Sequence, residues 1–289
     1  MVNRQRVELI VQGGFGNQLF QYFAGVHFSR SLAKPLALNL NWFDSTQKNS
    51  EFSRNFELSQ LPISGEYSIN FSRVPSLISR ICGQNKWLDR QNIVARNYSD
   101  LANFRSTAFI LDGYFQEAKP ITKHTEEVVS FLKNVAEDPA YTTLVKSLKR
   151  ESATCLHLRL GDYLHLKDFK VLSNDFIEDS LSLIRQINPT RVNYVITDSP
   201  HEIDKLYGDV LSKWNFKMID LKHFSSYQLI ILMSGFENLV ISKSSLGWWG
   251  GFLAAHNQKL VVAPADVHSP ALGNFTVDQV IPQWHTLLN

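Results

Sequence analysis

"ATCLHLRLGDY", residues 153–163, decides the fold. A run of apolar and β-branched residues leads to a lone arginine, Arg159, and a Gly-Asp turn closes it. That is the pattern of a buried strand, 153–160, ending at the edge of a sheet. A charge there is costly unless something negative meets it. Alternation places His157 and Arg159 on one face of the strand and Leu158 and Leu160 on the other. An arginine at the carboxyl end of a parallel strand lies where ligands bind in such sheets, and its planar fork suits a phosphate. The plainer alternative is an internal ion pair between Arg159 and Asp162.

Downstream, strand and helix patterns alternate. A helix is expected at 173–187 with Ser173 as N-cap, then a strand at 191–198, a helix at 200–214, and a strand at 216–220. A helix at 225–236, a strand at 238–245, a helix at 246–257 and a last strand at 259–264 complete the series. About five such alternations call for a doubly wound parallel sheet. The charged stretch "KSLKRES" marks a boundary, giving domains 1–148 and 149–289.

Upstream, "VELIVQ" (7–12) is a strand, "GGFGNQ" (13–18) a glycine turn and 19–34 an amphipathic helix ended by Pro35. With a second strand at 36–40 this makes a βαβ unit. Residues 41–108 read mostly as loop, with a helix at 76–90. A strand followed by a turn spans 108–121, and helices are expected at 125–136 and 139–150.

Composition bounds the function. The chain has 289 residues, a formal net charge of +2, 44% hydrophobic and 19% charged residues. This is enough for two medium domains, and too balanced for a nucleic-acid binder working by bulk electrostatics. The two cysteines, Cys82 and Cys155, read as buried free thiols of a reducing compartment. No signal peptide and no membrane-length apolar run is visible, so the expectation is a soluble cytoplasmic protein.

Three further segments carry chemistry. A glycine turn between strand and helix frees N–H groups of Gly14, Phe15, Gly16 and Asn17 for an anion. Leu19 and Asn39 stand where a dinucleotide fingerprint wants a small residue and an acid, which disfavours NAD. Asp198, in "VITDSP", can accept from a base or ribose, although capping the next helix is the better reading. Ser244, Ser245 and Leu246 open a helix whose N-terminus can take an anion. Gly247, Gly250 and Gly251 allow close backbone approach, and Trp248 and Trp249 read as core. No Asp-X-Asp pair, zinc spacing, Gly-X-Ser-X-Gly or Walker A pattern occurs.

In order, "GGFGNQLFQYFAG", "LDGYFQEAKP", "HLRLGDY", "ITDSP" and "LMSGFENLVISKSSLGWWGGFLA" resemble the successive motifs of the family 11 glycosyltransferases, the α-1,2-fucosyltransferases. The resemblance implies a GT-B-like fold of two Rossmann-like halves, with the acceptor on the first and the GDP-sugar on the second. It implies inverting transfer of fucose from GDP-fucose to a galactosyl 2-hydroxyl of a surface glycan, with no metal or other cofactor. The acceptor would be a glycan, including a lipid-linked oligosaccharide at the inner membrane face, with at most peripheral membrane contact. Arg159 would meet the β-phosphate, aided by Lys243, Ser244, Ser245, Leu246 and the Gly14–Gln18 turn. His157 would hold the loop or a phosphate, and Asp198 the guanine or ribose. Asp44, Glu57 and Asp162 are the candidate bases. Three positions depart from the family: Leu160 replaces a second arginine, Ser199 a second aspartate, and Lys243 an asparagine. These leave open a different GDP-sugar, or a non-catalytic homologue that binds nucleotide-sugar or glycan.

Overall fold

The computed structural model describes residues 6–46, 54–61, 63, 94–103, 109–133, 142–143, 145–147, 152–165, 170–222, 224–265 and 284–289. The chain divides into two compact units, Met1–Val135 and Ala136–Asn289. This division falls before the 148/149 boundary suggested by the charged stretch.

In the first unit the elements are β1 (Val7–Ile10), α1 (Phe15–Leu32), β2 (Leu36–Asn39), α2 (Asn41–Thr46), β3 (Val94–Ala95), β4 (Phe109–Leu111), α3 (Ala118–Thr122) and α4 (Thr125–Lys133). The sheet order is β2-β1-β4-β3, and every pairing is parallel. Val7, Leu9, Leu19, Ala24 and Phe28 are fully buried where α1 covers the sheet. Gly25 is required by that contact: a Cβ there would come within 2.9 Å of the Leu36 side chain. Asn39 is buried and donates to Glu8 Oε1 at 2.9 Å.

Helix α1 starts at Phe15, so Gly16, Asn17 and Gln18 belong to its first turn and not to a loop. Between β1 and α1, Gly13 alone takes a positive φ, +76°, and Gly14 is the N-cap residue. One tight residue thus suffices to reverse the chain. The stretch read as a turn after β4 contains the short helix α3. The helix expected at 76–90 lies outside the described residues. Of that expected at 139–150, residues 142–143 and 145–147 are helical.

In the second unit the elements are β5 (Ala153–Leu158), α5 (Asn174–Ile187), β6 (Val192–Thr197), α6 (Ile203–Lys213), β7 (Phe216–Met218), α7 (Ser226–Ser234), β8 (Asn238–Val240), α8 (Ser245–His256), β9 (Leu260–Pro264) and β10 (His285–Leu287). All pairings are parallel, in the order β10-β9-β8-β5-β6-β7. Growth from β5 runs through β6 and β7 on one side and through β8, β9 and β10 on the other. The point where the order reverses lies between β5 and β8. Their carboxyl ends bound the crevice in which open α/β sheets bind ligands.

Ser173 caps α5 as expected, accepting from Phe176 N–H at 3.1 Å, and Ser225 closes a capping box on α7. The strand at 259–264 is not the last: β10 extends the sheet, too short to announce itself by alternation. Leu156, Leu158 and Leu160 are buried in one apolar cluster with Phe176 and Ile177 of α5 and Tyr207 and Val210 of α6. Cys155 is a buried free thiol whose burial raises its pKa; Cys82 lies outside the described residues. Among the described residues, no helix is long and apolar enough to cross a membrane.

Candidate functional site

The register of β5 against its neighbours assembles the site in the second unit. Leu158 lies opposite Thr197 on β6, so Arg159 and Asp198, each one residue further on, emerge side by side. Arg159 forms an ion pair with Asp198 Oδ2. Its Nη2 donates to Asp162 Oδ1 at 2.5 Å. The guanidinium also stands 5.6 Å from the centre of the Tyr163 ring. Arg159 is therefore fixed from three sides while its side chain keeps 20% exposure. Two of its N–H groups serve these carboxylates, and the rest of the fork remains for a ligand. The ion pair with Asp162 foreseen as the plainer reading is present, with Asp198 as a second partner.

Asp198 does not cap a helix. Its Oδ1 accepts from Leu160 N–H at 2.9 Å and Gly161 N–H at 3.2 Å, and the N-cap residue of the turn Pro200–Glu202 is Ser199. Both Asp198 oxygens thus face the turn that follows β5, which makes it a positioning residue for Arg159. Gly161 has no side chain because one would collide: a Cβ would lie 2.6 Å from Asp198 Oδ2.

Across the crevice, β8 leads through Ser242 and Lys243 into α8. Ser244 is the N-cap residue but provides no side-chain cap, so the first N–H groups of α8 lack an intrahelical acceptor. With the helix dipole they favour an anion. Tyr163 joins the two walls, donating its hydroxyl to Lys243 O at 2.9 Å. His157 joins them lower down, its Nδ1 lying 3.0 Å from Ser242 Oγ. Gly247 brings the helix onto that imidazole, since a Cβ there would lie 2.7 Å from Nδ1. Trp248 and Trp249 are buried, as expected of core residues.

Burial lowers the His157 pKa to about 4, with Asp198 opposing the shift and Arg159 adding to it. His157 is neutral at pH 7 and lies within hydrogen-bond distance of Ser242. Its folded pKa is depressed, so its stabilising contribution is present above its unfolded value of about 6.5 and is lost as pH falls toward about 4. The loss is at most about 3 kcal/mol. Urea titrations at pH 7, 5.5 and 4 should show His157→Asn losing less stability on acidification than the wild type. Equal losses would mean that His157 does not carry this dependence.

In the first unit the glycine turn meets the "GYFQ" segment through adjacent strands. Gln116 Nε2 donates to Asn17 Oδ1 at 2.5 Å. Gln18 is fully buried. Its Nε2 donates to Gly13 O at 2.9 Å and Asn55 O at 2.8 Å, and its Oε1 accepts from Glu57 N–H at 2.9 Å. The N–H groups of Asn17 and Gln18 donate to Gly14 O, and Phe15 is buried. Of the turn expected to cradle an anion, Phe15 and Gln18 are thus built into the fold. Gly14 and Gly16 stand at the helix start, and Asn17 Oδ1 is engaged with Gln116. Asp44 lies in α2, with its side chain outside the described residues. Among the described residues no cluster of three His, Cys, Asp or Glu is placed to hold a metal ion.

These features are spread over the whole chain, and so is its kinship: a profile of glycosyl transferase family 11 matches residues 6–287. The chain belongs to glycosyl transferase family 11. The O-antigen biosynthesis glycosyltransferase WbnK of Escherichia coli is 27% identical over 287 residues, covering 88% of this chain and 92% of WbnK. An α-1,2-colitosyltransferase of Escherichia coli is 23% identical over 267 residues, covering 87% of this chain and 89% of that protein. The crystal structure of the α-1,6-fucosyltransferase NodZ, co-crystallised with GDP, matches with a TM-score of 0.50 at 12% identity, over 86% of this chain and 92% of NodZ. The likeness to NodZ is one of fold, and the fold is GT-B-like.

Sequence reasoning gave no role to Tyr163 or Ser242. Both reach across strands to residues about 80 positions away, so only the strand register reveals them.

Proposed function

We propose that this family 11 glycosyltransferase moves fucose from GDP-fucose to a glycan hydroxyl, with inversion and without a metal ion. A galactosyl 2-hydroxyl in a growing surface polysaccharide is the acceptor this reading favours. The observation that carries it is the pairing of Arg159, after β5, with the open N-terminus of α8, after β8, on the two walls of one crevice. The second unit then holds the nucleotide-sugar and the first unit the acceptor. A lipid-linked acceptor would bring a cytoplasmic enzyme to the inner membrane face.

The chemistry follows from charge. Breaking the sugar–phosphate bond builds negative charge on the departing diphosphate and positive charge on the ring, as in glycoside cleavage. A cationic fork and helix N–H groups answer the first charge without a metal. A charge-assisted hydrogen bond of this kind contributes about 1.5–3 kcal/mol, and more where it tightens in the transition state. Asp162, held by Arg159, is the carboxylate this reading assigns to take the acceptor proton. The sugar is the least constrained element, because a relative of similar coverage is named for colitosyl transfer.

Calorimetric titration with GDP in EDTA tests this reading. Micromolar binding is expected without metal, weakened several-fold in Lys243→Ala if that lysine supplies the charge the family lacks at its asparagine. GDP-fucose should outrank GDP-mannose and UDP-galactose. Absence of guanine-nucleotide binding would refute the donor assignment.

A further inference from the structure

β5 lies between β6 and β8 in the sheet, and the turn that follows it, Gly161–Leu164, is tied to both neighbours. On the β6 side, Leu160 and Gly161 donate their N–H groups to Asp198 Oδ1. On the β8 side the tie is Tyr163, whose hydroxyl donates to Lys243 O at 2.9 Å. The turn itself is short and closed, with Leu164 N–H donating to Leu160 O at 3.0 Å and His165 N–H to Asp162 O at 3.1 Å.

Tyr163 does not owe its place to the core. It is partly buried and stands outside the apolar cluster that holds Leu158 and Leu160. Its ring lies 5.6 Å from the Arg159 guanidinium. An aromatic face attracts a cation through the ring quadrupole, so it steadies the guanidinium without using any of its N–H groups. Asp162 and Asp198 each take donors from the same fork. The ring takes none, and the remaining donors stay available to a phosphate.

The hydroxyl acts on the opposite wall. Lys243 C=O and Ser244 N–H belong to one planar peptide group, and Ser244 is the N-cap residue of α8. Ser244 N–H donates to Ser242 O at 2.7 Å. With both ends of that peptide engaged, the direction in which α8 starts is fixed, and with it the aim of the N–H groups in its first turn. One side chain thus reaches both elements that answer the diphosphate, the guanidinium through its ring and the helix start through its hydroxyl.

We propose that Tyr163 is a positioning residue for the departing diphosphate, holding Arg159 and the N-terminus of α8 at the spacing that a β-phosphate bridges. The inference rests on the donor reading given above and adds the residue that sets its geometry. Donors held in place beforehand need no reorganisation as charge develops, which is what a strut between the two walls provides.

GDP and GMP, which differ by the β-phosphate, are the probes, titrated calorimetrically into the full chain. Wild-type protein should bind GDP more tightly than GMP. Tyr163→Phe, which keeps the ring and deletes the tie to Lys243, should weaken GDP about fivefold, the value of one hydrogen bond, and leave GMP unchanged. Tyr163→Leu should weaken GDP by about threefold more, as the cation loses its ring, again sparing GMP. In the Arg159→Ala background the difference between Tyr163→Phe and Tyr163→Leu should disappear, because the ring acts through the guanidinium. Unchanged GMP binding also reports that each variant is folded. If Tyr163→Leu does not fold, Tyr163→Phe carries the test. Unchanged GDP affinity in Tyr163→Phe, or GDP and GMP weakened alike as for a merely structural residue, would overturn the role of Tyr163 alone. Wild-type protein that binds GDP no more tightly than GMP would overturn the donor reading and this role with it.

Discussion

Arg159→Ala should lower kcat/KM for sugar transfer by roughly 10²–10³-fold, the usual cost of removing one preorganised donor to developing charge. The structure says why the loss should fall on function more than on folding. Asp198 keeps its hydrogen bonds to Leu160 and Gly161 N–H without the guanidinium, so the turn after β5 retains its shape. What disappears is the cation between two carboxylates, and an incoming diphosphate then faces Asp162 and Asp198 alone. GDP affinity should fall with activity, since the same group meets the phosphate in ground and transition states. Arg159→Lys should recover little, because an ammonium cannot span Asp162, Asp198 and a phosphate oxygen at once. Initial rates with GDP-fucose, beside GDP calorimetry, decide the matter. Full activity in Arg159→Ala would move the donor phosphates elsewhere.

The same residues show how far a sequence can be read. The strands and helices from 153 to 264 were legible because each strand of a doubly wound sheet is an apolar run closed by a turn. β3 and β10 were not, since two or three residues carry no periodicity and exist only through pairing with β4 and β9. Arg159 was legible as a charge at a strand end. Its partner Asp198 was visible as a residue, read from the strand end as a cap and from the family resemblance as a contact to guanine or ribose; the cap is not formed. The missing datum was register: once Leu158 faces Thr197, Asp198 must stand beside Arg159. Likewise Leu156 faces Val240, so Ser242, two residues on, follows just beyond the level of His157, within reach of its imidazole. The glycine turn misled in the other direction. Asn17 and Gln18 were read as part of an anion-binding turn because a glycine-rich stretch stands between strand and helix. Gln18 proves to be a buried clamp on Gly13, Asn55 and Glu57, a role set by a segment some 39 residues downstream.

Leu160→Arg, which restores the arginine of the family motif, should destabilise the protein by roughly 3–5 kcal/mol, the scale of an uncompensated buried charge. Leu160 is fully buried, among Leu158, Leu172, Phe176 and Ile177. The strand turns this side chain away from the face that carries His157 and Arg159. Only its N–H is turned to Asp198, and a side-chain substitution does not alter that bond. An arginine here would have to bury its guanidinium beside α5 or push that helix aside, and both outcomes reduce stability without placing charge at the crevice. Leu160→Ala is the companion variant, expected to cost about 2–5 kcal/mol as a cavity while leaving GDP affinity intact in the folded fraction. Urea midpoints and GDP titrations on both variants separate the alternatives. If Leu160→Arg were as stable as the wild type and bound GDP more tightly, position 160 would open onto the donor, and leucine there would mark a weakened site. Lower stability with unchanged GDP affinity would mean that leucine at 160 serves the core, and that one arginine, held by two aspartates, is sufficient for the phosphate.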